Sequence, residues 1–318
     1  MQIHASTAHL QAFRHRVSKR SVLPGLALLP TLLLAGCLRL HKEPFERLPI
    51  SPGQLQVEPI SERQDLTIER VRFYSDALQE PRFFLALIPK SAPTDVFILN
   101  HGWADRPEYL LKYLKVDEVY DGLLAHGEVR PAVVIIPDVR FRYVRLNERR
   151  RMAFPSYLSL VAEEIPEIVS QRYHVPHPVP QERQHWAVGG FSFGGYLSLD
   201  VARRYPGRFG SASVISGFAD PQWSLWPDVA PQATAPEAQV RDQNTVVIPG
   251  ARPALFLACG SDDRLFPMMQ NLHEKLTGLG IPHEWQTTRG AHTWKYWHSV
   301  LAPMFKFHLG NVAQGDAR

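Results

Sequence analysis

An α/β fold with a mostly parallel central sheet and helices on both faces is what three observations predict. Strand-like and helical segments alternate from residue 67 to the end of the chain. The later strand segments, such as VFILN, AVVIIP and ALFLAC, are continuously apolar, as strands covered on both faces must be. Of the 318 residues, 45% are hydrophobic, enough to fill the large core that such a layered arrangement encloses.

In chain order, strands are expected at 67–75, 82–89, 96–102, 132–138, 185–191, 211–217, 254–260 and 283–290. Helical patterns fill most of the gaps, at 107–127, 155–173, 195–206 and 266–280, and an apolar helix over 294–309 closes the chain. The segment 218–250 breaks the alternation. It is proline-rich, without helical period, and carries Trp223 and Trp226; it reads as a lid or pocket wall, or as a wandering surface connection.

The two ends of the charge distribution differ. The net charge of +4 comes from Arg14, Arg16, Lys19 and Arg20, which no acid opposes within residues 1–36, leaving 31 basic and 31 acidic residues from Cys37 onward. A balanced body gives no electrostatic footprint for nucleic acid. The basic start leads into an apolar stretch too short and too proline-rich to span a bilayer comfortably, ending in Leu34-Ala35-Gly36-Cys37. That ending resembles a bacterial lipobox. The reading that follows has three parts: residues 1–36 as a lipoprotein-type signal peptide, Cys37 as the lipidated residue, and residues 37–63 as a tether rich in Pro, Glu and Ser. The remaining domain, 64–310, is then expected outside the cytoplasm, held at a membrane of the bacterial cell envelope. With Cys37 lipidated, Cys259 has no partner and no disulfide framework is available.

Gly190-Phe191-Ser192-Phe193-Gly194 lies between an expected strand and an expected helix, the context of a nucleophile elbow. Its glycines permit a strained turn that lifts the serine oxygen clear of the sheet. An acyl-transfer serine needs a base, an acid to hold that base, and oxyanion donors. His292 follows the last expected strand and is the candidate base. Asp262 and Asp263 share the turn after the strand ending at Gly260, and residue order alone leaves both as candidate acids. The order Ser…Asp…His is the one α/β-hydrolases use. For the oxyanion, the backbone N–H of Phe193 and one from Asn100-His101-Gly102-Trp103, that of Trp103, are the candidate donors. Most of the fourteen histidines must be structural or surface residues, and no metal motif is present, so neither metal nor cofactor is expected.

Several features recur in one order: His-Gly after an early strand, Ile-Ile-Pro-Asp at 135–138, the helical stretch at 157–175, GGFSFGGYLSLDVARRYPGRFGSASVISG, Gly260-x-x-Asp263 and Gly290-x-His292. Together they resemble the putative-esterase (esterase D-like) family of α/β-hydrolases over roughly residues 80–305. The resemblance implies a carboxylesterase-type serine hydrolase with Ser192, Asp263 and His292 as the triad and Trp103 on the oxyanion loop. Two departures stand out. Phe193 occupies a position where many members carry Met or another residue, and residues 140–154 are dense in arginine where the family often has Gly, Ser and Trp. Arg149, Arg150 and Arg151 in that stretch, with Trp223 and Trp226, are candidate substrate-binding residues; an anionic substrate group or lipid headgroups would suit the arginines. The expected partners are therefore an ester of small-molecule, lipid or glycan origin and, through Cys37, the membrane. Acyl transfer to an alcohol, exopeptidase activity on the same fold, and a non-catalytic binding role are the rival readings.

Overall fold

The computed structural model describes residues 49–140, 155–219, 225 and 252–311. Nine strands form one sheet in the order β1-β2-β3-β5-β4-β6-β7-β8-β9. They are β1 (Leu55–Glu62), β2 (Leu66–Ser75), β3 (Glu80–Pro89), β4 (Asp95–Asn100), β5 (Ala132–Pro137), β6 (Trp186–Phe191), β7 (Ser211–Ile215), β8 (Ala254–Gly260) and β9 (Glu284–Thr288). The first three run antiparallel to their neighbours, and β3 also pairs antiparallel with β5. From β5 across to β9 every pairing is parallel.

The sequence explains which strands are central. Every residue of β4, β5 and β6 is buried, matching their unbroken apolar runs, whereas β1 and β9 at the two edges are largely exposed. Alternate residues of each central strand feed opposite layers. Val96, Ile98, Val133, Ile135 and Val188 pack under α3 (Ile165–Tyr173), α4 (Phe193–Arg204) and α5 (Phe266–Gly278). On the other face, Phe97, Leu99, Val134, Ile136 and Ala187 pack under α1 (Pro107–Lys112), α2 (Val116–Ala125), α6 (Trp294–Ser299) and α7 (Leu301–Leu309). This is the α/β-hydrolase arrangement.

Four local features differ from the sequence expectations, each for a physical reason. Residues 55–62, read as the end of the tether, form β1; Pro59 and the register shift between Pro59 and Ser61 are what an edge strand tolerates and a tether also shows. The helix expected over 107–127 is two, because Lys115 adopts a left-handed conformation (φ 56°) between them. The helix at 155–173 contains a π-helical turn, Leu160–Glu164, immediately before Pro166, whose missing N–H breaks the regular ladder. Pro303, in the first turn of α7, likewise splits the closing helix at Val300. Among the described residues no helix is long and apolar enough to cross a membrane.

Candidate active site

The parallel strands bring their carboxyl ends to one edge of the sheet, and Trp103, Ser192, Phe193, Asp263 and His292 lie there. Ser192 follows β6 and precedes α4. Its backbone sits at φ 54° and ψ −119°, a conformation L-residues avoid, held by its N–H donating to Ile215 O at 2.8 Å. The flanking glycines are required by close approach. A Cβ at Gly190 would come within 2.5 Å of Asn100 O, and one at Gly194 within 2.2 Å of the same atom. The loop after β4 is thereby pressed against the first turn of α4. That contact brings the two expected oxyanion residues together: the Trp103 and Phe193 rings meet edge to face with centroids 5.2 Å apart. Trp103 is 44% exposed, and Ala104 beside it takes a left-handed φ of 61°.

Acid and base come from the turns after β8 and β9. These approach so closely that a Cβ at Gly260 would lie 2.2 Å from Gly290 O. The His292 imidazole bridges the two sides of the site. Its Nε2 is 3.0 Å from Ser192 Oγ, and its Nδ1 is 3.0 and 2.9 Å from the Asp263 carboxylate oxygens. The Asp263 side chain has no exposed surface and also accepts the Leu265 N–H at 2.8 Å. Asp262 points elsewhere, to an exposed contact with Arg289 at 3.4 Å. The structure therefore brings Asp263, and not its neighbour, to the histidine. With Nδ1 donating to a carboxylate, Nε2 carries the lone pair that faces the serine hydroxyl. Trp297 packs edge-on against the imidazole, its ring centroid 4.9 Å away, and limits the ring's rotation.

Burial shifts several titratable groups around the relay. Burial pushes the Cys259 thiol up to about 12, so it stays protonated beneath the site. Burial likewise raises the Asp105 carboxyl to about 6, against the opposing hydrogen bond from the Gly102 backbone. His101 is wholly enclosed, and desolvation lowers it to about 4, keeping it neutral. Among the described residues no group of three or more His, Cys, Asp and Glu side chains converges in a way that would hold a metal ion.

Cys37, Arg149, Arg150, Arg151, Trp223 and Trp226 lie outside the described residues. The residues that flank the arginine-dense stretch do not. Arg82 donates to Arg140 O at 2.9 Å and to Tyr157 Oη at 2.8 Å, and Tyr157 in turn donates to Arg140 O at 2.7 Å. Sequence reasoning did not single out Arg82, Trp297 or Tyr113, although Tyr113 is 45% exposed and tilted against Trp294 beside the base. The lone-residue signal for each was too weak, since aromatic and basic residues in such positions serve packing equally well.

The family model described as Putative esterase matches residues 75–308. The chain belongs to the putative-esterase family. It is thus a carboxylesterase-type hydrolase on the α/β-hydrolase fold, and the esterase match spans all three residues of the hydrogen-bonded relay. An acetyl esterase of Caldicellulosiruptor saccharolyticus is 23% identical, over 76% of this chain and 98% of its own. Among solved structures, an S-formylglutathione hydrolase from Agrobacterium tumefaciens superimposes with a TM-score of 0.57 at 19% identity, covering 79% of this chain and 98% of that one. A ferulic acid esterase from the anaerobic fungus Anaeromyces mucronatus gives 0.58 at 17% identity, covering 80% and 97% respectively. At these identities the solved structures speak for the fold alone.

Proposed function

We propose that this esterase hydrolyses carboxylic esters through an acyl-enzyme on Ser192. The observation that carries the reading is the relay itself: Ser192 Oγ, His292 and Asp263 connected at 3.0 and 2.9 Å, with the acid buried and the serine on a strained elbow. His292 Nε2 takes the hydroxyl proton as Oγ attacks the acyl carbonyl, and Asp263 stabilises the imidazolium that forms. The Phe193 and Trp103 amides donate to the oxyanion. Collapse expels the alcohol, protonated by His292, and a water activated by the same nitrogen then releases the acid.

In this reading Arg149, Arg150 and Arg151 meet an anionic group of the substrate, and Trp223 and Trp226 line its pocket. Support for the arginines comes from the charge density of their segment, which begins at Arg140, three residues beyond β5. Cys37 carries the lipid that holds the enzyme outside the cytoplasm. Substituting Cys37→Ser is expected to release the protein from the membrane fraction without altering its turnover of soluble esters.

An ester panel tests the proposal directly. Aryl and acetyl esters are expected to be cleaved, dipeptidyl amides left intact, and added alcohols to divert little of the acyl group. Faster cleavage of the amides would move the assignment to an exopeptidase; dominant transfer to alcohols would move it to an acyltransferase. No turnover of any member, together with no reaction at Ser192, would leave a binding role.

A further inference from the structure

The oxyanion loop contains a histidine, distinct from the candidate base His292, whose position gives it a task. His101 is 1% exposed, one residue before Gly102 and two before Trp103. The Val139 N–H is shared between Pro137 O at 3.1 Å and His101 Nε2 at 3.2 Å, which gives that nitrogen the acceptor's role. The ring proton is therefore on Nδ1, which donates to Gly102 O at 2.9 Å. The Asp105 N–H approaches the same carbonyl at 3.3 Å.

One group could upset this arrangement. The Asp138 carboxylate lies 4.0 Å from His101 Nε2 and would favour a proton there. Its oxygens are occupied instead by Arg140, whose Nε and Nη2 donate at 2.7 and 2.8 Å, and Arg82 stands 3.7 Å away. The two guanidinium groups hold the acid's charge and leave the imidazole neutral. That buried cluster has no role in the proton relay described above.

A trans peptide points its C=O and N–H in opposite directions. Pinning Gly102 O against the buried imidazole thus turns the Trp103 N–H away from the ring. Glycine at 102 makes a flip of this peptide sterically cheap, and the flipped peptide would present a carbonyl where a donor is needed. We propose that His101 is a positioning residue for ester hydrolysis, fixing the Gly102–Trp103 peptide so that the Trp103 N–H faces the oxyanion. This rests on the reading of Trp103 as an oxyanion donor.

Two substitutions separate the ring's nitrogens. In His101→Asn the side-chain amide N–H takes the place of Nδ1 and keeps the donor to Gly102 O. In His101→Gln the longer side chain reaches the place of Nε2, keeps an acceptor for Val139 and loses that donor. Loss of an oriented oxyanion donor costs about 10²-fold or more in kcat, so Gln is expected to lower kcat about that far with KM little changed, and Asn to recover most of it. The oxoester-to-thionoester ratio of kcat should fall with it in the Gln variant, because sulfur accepts hydrogen bonds poorly and gains little from the donor. Equal losses in both variants, or a loss carried by KM with an unchanged ratio, would overturn the proposal. If neither variant folds, nitrogen NMR of the wild-type enzyme decides: a protonated Nδ1 supports the assignment and a protonated Nε2 overturns it. Ser192→Ala distinguishes the levels, since turnover persisting there defeats the triad reading itself, whereas its loss alongside equal Asn and Gln variants defeats only the role of His101.

Discussion

Asp262 and Asp263 are consecutive in one turn, yet only one has its carboxylate within reach of His292. Their chemistry should differ accordingly. Asp263→Asn is expected to lower kcat by about 10³- to 10⁴-fold, because the amide favours the wrong tautomer of the base. Asp262→Asn, at an exposed pair with Arg289, should leave kcat within about twofold and stability within about 0.5 kcal/mol. Steady-state kinetics of the two variants side by side check this. At this scale the sequence was legible where chain order constrains chemistry, as for Ser192 and His292. Choosing between adjacent acids needed the resemblance, because neighbouring residues in a turn point in different directions and no spacing rule says which one turns inward.

The elements position these residues through close backbone contact more than through long-range packing. Gly194 is the clearest case: its first-turn position in α4 lies against the Asn100 and His101 carbonyls, where a Cβ would sit 2.2 and 2.5 Å away. Gly194→Ala must push the oxyanion loop off the elbow. We expect a destabilisation of about 2 kcal/mol or more, measured by denaturant unfolding, and a fall in kcat that exceeds what the remaining folded fraction explains. The strands of the sheet core were readable from their continuous apolar runs, and the elements that escaped are those where one residue overrides a pattern. Pro303 breaks a helix that hydrophobic periodicity joins, Pro166 follows a π-helical turn within another, Lys115 turns left-handed without a glycine to announce it, and β1 alternates too weakly at the sheet edge to stand out from a tether.

For the whole molecule, two buried histidines contribute to how folding responds to acid. Desolvation lowers His101 to about 4 and His308 to about 3, the latter packed on Phe97 and hydrogen-bonded to Ser211. Both folded values lie below the unfolded one of about 6.5. Above that pH neither state binds these protons and stability is unaffected. As pH falls below it, the unfolded chain takes up protons that the folded one refuses, so stability declines until about pH 4 for His101 and about pH 3 for His308. Each group contributes a slope of up to about 1.4 kcal/mol per pH unit. Unfolding free energies between pH 7 and 4.5 should fall, and His308→Phe should reduce that slope by about one proton's share. A slope unchanged by the substitution would assign the acid sensitivity to other groups.

The account stands on Ser192 carrying the acyl group, and mass spectrometry of the enzyme mixed rapidly with an activated aryl ester and quenched in acid reads this most directly. The predicted result is an acyl adduct on the peptide that contains Ser192, absent from Ser192→Ala, whose turnover should fall by about 10³-fold or more. An unmodified Ser192 peptide, with hydrolysis continuing in the alanine variant, would contradict it.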